Sequence, residues 1–183
     1  LMLVPSFVTN LYQASIGGYG LFILRRLWPF MLMATITVWL GAIALTRVDF
    51  FLLSALLGLL ITIYGVISLA GVRLVVSQSR GNWLGPIAGA VNGFLTGMTG
   101  SFVFPGVMFL EATGLTRDQF IQAMGILFTL STLALGVCLS VNNLLIFSQG
   151  QISTAALFPA LAGMVVGRYV RQLLSPEIFR LVF

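Results

Sequence analysis

The sequence predicts an all-α, polytopic membrane protein with inverted repeats and a re-entrant helical hairpin, and three observations predict it. Hydrophobic residues make up 59% of the 183 positions and charged residues 7%, with a mean hydropathy of +1.09. Such a chain cannot wrap an apolar core in a wettable surface. Residues 28–45, 50–69 and 120–139 are uncharged runs of 18, 20 and 20 residues, close to the ~20 that cross ~30 Å of hydrocarbon as a helix. Eight of the nine basic residues, all arginine, fall on one side only if the chain doubles back once.

Taken in order, the elements are as follows. A helix over about 1–24 carries a polar cluster, Thr9, Asn10 and Gln13. Helices over about 28–45 and 50–71 follow and complete the visible part of a first repeat, residues 1–72. Residues 73–82 read as a cytoplasmic linker. The second repeat, 83–183, holds a hairpin over about 83–113, helices over about 118–140 and 152–172, and the start of another at 177–183. Trp28 and Trp83 read as interfacial anchors.

The hairpin follows from the arginines. Positive charge in short loops marks the cytoplasmic face. If the hairpin segment crossed once, Arg25, Arg26, Arg73 and Arg80 would oppose Arg47, Arg117, Arg168, Arg171 and Arg180, which is no bias. If it folds back, only Arg47 stands apart. The expected apex is Thr99-Gly100-Ser101, where small residues let the chain turn within the membrane, with a second limb starting near Phe102. Gly85, Gly89, Gly93 and Gly97 recur every four residues and make a smooth ridge for close helix packing.

A faint repeat supports inversion. A polar-clustered helix, a proline-bearing helix from Trp28 and a helix opening on Asp49-Phe50-Phe51 are echoed by the helix with Thr129, Ser131 and Thr132, then Pro159, then Pro176-Glu177-Ile178-Phe179. The offset is roughly 120–130 residues, and the hairpin makes the second set cross in the opposite sense. By that symmetry a first hairpin of roughly 35–45 residues is expected ahead of Leu1. Residues 1–14 and 177–183 read as helices cut by the chain ends, so the chain reads as a piece of a longer protein.

Several function classes fall away. With one cysteine, no histidine and four carboxylates, the chain offers no metal set, nucleophile or acid pair for a membrane enzyme, and no cofactor is expected. Cys138 reads as a small apolar residue in a span. The arginines flank helices and need no nucleic acid to explain them. Asp49, Asp118 and Glu177 sit at helix ends beside arginines, and Glu111 falls near the interface. No acid or histidine stands at mid-membrane to carry a proton.

At this point the residues meet a known family. Pro5-Ser6-Phe7-Val8-Thr9-Asn10-Leu11-Tyr12-Gln13 resembles the segment ending in Asn-x-x-Gln of the TauE/SafE family of bacterial inner-membrane exporters and permeases. Gly93-Phe94-Leu95-Thr96-Gly97-Met98-Thr99-Gly100, then Pro105-Gly106, Gly114-Leu115-Thr116-Arg117-Asp118 and Gln122-Ala123-Met124-Gly125, resembles the second hairpin of that family and the helix after it. The second repeat departs from the pattern, with Leu130, Ser131 and Thr132 in place of another Asn-x-x-Gln.

The resemblance implies transport of small anions, sulfite and organosulfonates among them. The residues allow it. Asn10 and Gln13, at i and i+3 on one helix face, offer amide donors without fixed charge, and a helix N-terminus at the hairpin apex suits an anion. The candidate substrate-binding set is Asn10, Gln13, Thr96, Thr99, Gly100, Ser101, Pro105, Thr129 and Ser131. The alternative for the amides is hydrogen bonding between helices, and for the hydroxyls bonding to their own backbone. A non-transporting membrane scaffold is the competing function. The expected partners are a small anion and the lipid bilayer, with no nucleic acid; the oligomeric state is open.

Overall fold

Helix formation follows the apolar runs but not their charge boundaries. The computed structural model describes residues 3–45, 47–70, 75–101, 105–142 and 155–173. They form seven helices: α1 (Leu3–Ser15), α2 (Gly20–Leu45), α3 (Phe50–Leu69), α4 (Gln78–Thr99), α5 (Gly106–Ala112), α6 (Arg117–Val141) and α7 (Leu157–Leu173). The chain is an all-α polytopic membrane protein. Gly20–Leu45, Phe51–Leu69 and Arg117–Val141 are each long and apolar enough to cross a bilayer.

Three expected boundaries move. The first helix stops at Ser15 rather than near residue 24, because Gly17 (φ 120°) and Gly18 (φ 75°) take backbone conformations that favour glycine and turn the chain. Gln122 of α6 fixes that turn. Its Oε1 accepts the Tyr19 N–H at 2.9 Å and its Nε2 donates to the Ala14 carbonyl at 2.8 Å. The second helix then begins at Gly20 and runs through Arg25, Arg26 and Pro29 without a break, since Ile23 and Leu27 are buried one turn apart. At the same end of the bundle, α4 takes up residues 78–82 of the expected linker.

The glycine ridge packs on α2. A Cβ on Gly89 would run into the Phe30 carbonyl, one on Gly93 into the Ala34 carbonyl and the Thr37 hydroxyl, and one on Gly97 would lie 2.6 Å from the Ala42 nitrogen and 2.8 Å from the Gly41 Cα. Gly85 is looser, with its nearest neighbours, on Phe109 and Phe30, at 3.6 Å. These contacts also set the register. As α4 ascends, it meets α2 at Phe30, then Ala34 and Thr37, then Val38 and Ala42.

The hairpin is re-entrant, and hydrogen bonds at one end show the return. The Val76 N–H, just before α4, donates to the Ala112 carbonyl at the end of α5 at 2.8 Å. Arg26 Nη2 donates to the Thr113 carbonyl at 2.6 Å. The start of α2, the feet of the hairpin and the start of α6 therefore share one end of the bundle, with Arg25, Arg26 and Arg117. Arg47 follows the opposite end of α2. Arg73 and Arg180 lie outside the described residues, as do Phe102 and the expected helix at 177–183.

Helix α6 starts with a capping box. The Thr116 hydroxyl accepts the Gln119 N–H while Gln119 Oε1 accepts the Thr116 N–H at 3.1 Å, satisfying two donors that the first turn leaves open. It then packs parallel to α2. Phe120, Met124 and Leu127 share a core cluster with Ile23, Leu27, Phe30, Met31 and Ala34, and Ala134, Leu135 and Cys138 share a second with Val38 and Ala42. Helix α1 lies antiparallel on α6: a Cβ on Gly125 would lie 2.5 Å from the Ala14 nitrogen, while Leu3 packs on the second cluster.

The ridge gives a graded expectation. Gly89→Ala, Gly93→Ala and Gly97→Ala should each lower stability by about 1–3 kcal/mol through overpacking, whereas Gly85→Ala should be near neutral; thermal unfolding in detergent reads the difference. Topology has its own test. In a Cys138→Ser background, Asn82→Cys and Asp118→Cys should react with an impermeant maleimide from one face of the membrane and Asp49→Cys from the other.

Candidate functional site

Polar residues inside the bundle lie along two seams. The first is between α1 and α6. Gln13 is half-buried, with its Cβ 2.8 Å from where a Gly125 Cβ would sit. One turn further along α6, the Thr129 hydroxyl donates to the Gly125 carbonyl at 2.7 Å. Asn10 is half-buried on α1, one turn from Gln13 toward Thr129. Thr9 bonds back to the Pro5 and Ser6 carbonyls at 2.9 and 3.1 Å.

The second seam is the hairpin. Helix α4 runs 22 residues, about 33 Å at 1.5 Å per residue. It ends where Gly100 adopts a left-handed cap (φ 70°) and donates its N–H to the Thr96 carbonyl at 2.8 Å. Because Gly97 already sits against Ala42, the turn at Thr99-Gly100-Ser101 lies toward the outer end of α2, beyond mid-depth. The Thr99 hydroxyl donates to the Leu95 carbonyl at 2.8 Å and accepts the Ser101 N–H at 3.2 Å, and the fully buried Thr96 donates to the Ser101 carbonyl at 3.0 Å.

What stands at mid-depth is the start of α5. Pro105 is its N-cap, and the helix from Gly106 has seven residues. Its first N–H is taken: Gly106 donates to Asn92 Oδ1 at 2.9 Å. A Cβ on Gly106 would collide with that amide. The dipole of so short a helix is small and its first donor is already used. Glu111 is exposed in its last turn.

The structure thus groups Asn10, Gln13 and Thr129 along α1 and α6, and Thr96, Thr99, Gly100, Ser101 and Pro105 along the hairpin. Ser131 belongs to neither group. It falls on the α2-facing stripe of α6, between Leu127 and Ala134, and is fully buried. Two buried amides escaped the sequence reading. Asn92, fully buried, stands beside Gly93 in a run read only as a packing ridge. Gln122 was read only as part of a motif. In each case the signal was a lone amide in an apolar helix, and its role depended on which backbone group came to face it.

Among the described residues, no group of three or more His, Cys, Asp or Glu could hold a metal ion. No curated protein and no solved structure matches the chain. The family model described as "Sulfite exporter TauE/SafE" matches residues 1–183. The apolar crossings, the re-entrant hairpin and a family match along the whole sequence converge, and the chain belongs to the TauE/SafE sulfite exporter family.

Proposed function

We propose that this chain is part of a secondary transporter that moves small oxyanions, sulfite or organosulfonates, across the bacterial inner membrane. The family match carries the reading. The site chemistry supports it: the polar groups buried in the bundle are neutral amides and hydroxyls (Asn92, Thr96, Gln122, Thr129, Ser131, Thr132), which can hold an anion without binding it too tightly for release. We assign Asn10 and Gln13 to the substrate path along α1, and the hairpin residues Thr96, Thr99, Gly100, Ser101 and Pro105 to its wall. The division into repeats 1–72 and 83–183 fits the antiparallel pairing of α1 with α6, the geometry that an inverted repeat requires.

Export of an anion from a negative-inside cell needs no proton carrier, because the membrane potential supplies ~2.3 kcal/mol per charge per 100 mV. In proteoliposomes holding the full-length protein, sulfite flux should therefore rise with an inside-negative potential; flux indifferent to the potential would remove this coupling. Asn10→Ala and Gln13→Ala should each cut the flux about tenfold or more, the factor for loss of one hydrogen bond to a charged group. Folded variants that transport normally would make both residues packing groups and move the path to the hairpin. Absence of any anion flux in the wild type would favour a membrane scaffold.

A further inference from the structure

Most buried hydroxyls among the described residues are satisfied by backbone carbonyls. Thr37 donates to the Met33 carbonyl at 2.8 Å and Thr129 to the Gly125 carbonyl at 2.7 Å, and Thr96 reaches the Ser101 carbonyl. Three buried groups break the pattern. Asn92 Nδ2, Ser131 Oγ and Thr132 Oγ1 have no hydrogen-bond partner among the described residues. They are 0%, 0% and 4% exposed. A buried donor left without a partner is costly in a membrane protein, where water cannot take it up from lipid, and so calls for an explanation.

The three share one depth. Gly93, next to Asn92, packs on Ala34 and Thr37 of α2. Ser131 and Thr132 stand between Leu127, which clusters with Ala34, and Ala134 and Leu135, which cluster with Val38. Both α4 and α6 therefore present these groups level with residues 34–38 of α2, about the middle of the 28–45 run, and α4 touches α6 directly. Ser131 lies on the stripe of α6 that faces α2. Thr132 is turned ~100° from it, onto the stripe of Gly125 and Thr129 that faces α1.

The chemistry at this layer is one-sided. The Asn92 carbonyl is occupied by the Gly106 N–H, and that bond fixes the amide orientation, since an NH₂ group cannot accept an N–H. What Asn92 turns to the core is a pair of N–H donors. Ser131 and Thr132 add two hydroxyls able to donate. No fixed charge stands among them, so the layer is a neutral, donor-rich set that complements the oxygens of a small oxyanion.

We infer that Asn92, Ser131 and Thr132 supply the donors of a mid-membrane oxyanion site at the level where α4 and α6 both pack on α2, with Thr132 turned toward α1. The inference rests on the transport reading above and gives that transport a binding point. Asn92 has two tasks there. Its carbonyl holds the start of α5 and its amino group meets the substrate, so hairpin position and substrate occupancy are linked through one side chain. Ser131 and Thr132, adjacent in sequence, face the α2 side and the α1 side of α6, which connects this point to the face of Asn10 and Gln13.

The test is sulfite transport in proteoliposomes together with thermal unfolding of the full-length protein with and without sulfite. Ser131→Ala and Thr132→Val remove the unpartnered hydroxyls with little change of shape, and Asn92→Asp keeps an oxygen for Gly106 while replacing the donors. Ser131→Ala and Thr132→Val should unfold at the same or a higher temperature than wild type without sulfite, yet raise the KM for sulfite about tenfold each, as loss of one charge-assisted hydrogen bond requires. Asn92→Asp should abolish the rise in unfolding temperature that sulfite gives the wild type, and Thr62→Val on the exposed face of α3 should leave KM unchanged. Variants that lose stability while KM stays at the wild-type value would overturn the inference, because the groups would then be structural or hydrated by bound water. A wild type that neither binds nor carries sulfite would instead remove the transport reading itself, and the site with it.

Discussion

The contact on which this bundle depends is backbone against backbone, where the glycine ridge of α4 meets α2. In a bilayer there is little hydrophobic gain in bringing two apolar helices together, because lipid tails are as apolar as leucine; what remains is dispersion and the closeness of approach. Gly89, Gly93 and Gly97 let α4 lie directly on the Phe30, Ala34, Val38 and Ala42 stretch of α2. That approach leaves no room for side chains between the two axes. It fixes the height of each α4 residue against α2, and thereby the depth of Asn92, of the Gly100 turn and of α5.

A second constraint closes the hairpin at its feet. Non-helical backbone within a membrane must be paired inside the protein, and here the pairing is specific. Val76 bonds to Ala112, Arg26 to Thr113, and Gln122 bridges Ala14 and Tyr19. These bonds tie the linker, the hairpin and the first turns of α2 and α6 at one end. Arg26 serves topology and structure together: its charge belongs to the positive face, and its guanidinium holds the end of α5.

Among the described residues, the buried polar side chains are neutral amides and hydroxyls. Thr37, Thr96 and Thr129 have settled their hydroxyls on backbone carbonyls, which is the inexpensive arrangement for a membrane helix. Asn92, Ser131 and Thr132 have not. The contrast matters more than the mere presence of polar residues. It separates side chains that complete the helices from side chains that have bonding capacity to spare, and it concentrates the latter at the depth where the hairpin's second limb begins.

Much of the fold was legible in the sequence. The lengths of the apolar runs set the crossings, and the arginine count required the chain to double back between residues 83 and 113, because charge asymmetry is a global property that survives small errors in helix boundaries. The spacing of Gly85, Gly89, Gly93 and Gly97 announced a close helix contact but not its partner. Boundaries fared less well where charge was used to place them: Arg25 and Arg26 suggested a break, yet the turn came at Gly17 and Gly18, where a glycine pair held by Gln122 reverses the chain while α2 runs on through both arginines. The grouping of polar residues was decided by tertiary structure alone. Whether a buried amide or hydroxyl is satisfied depends on which backbone group faces it across a helix contact, and a linear pattern of residue types carries no record of that distance.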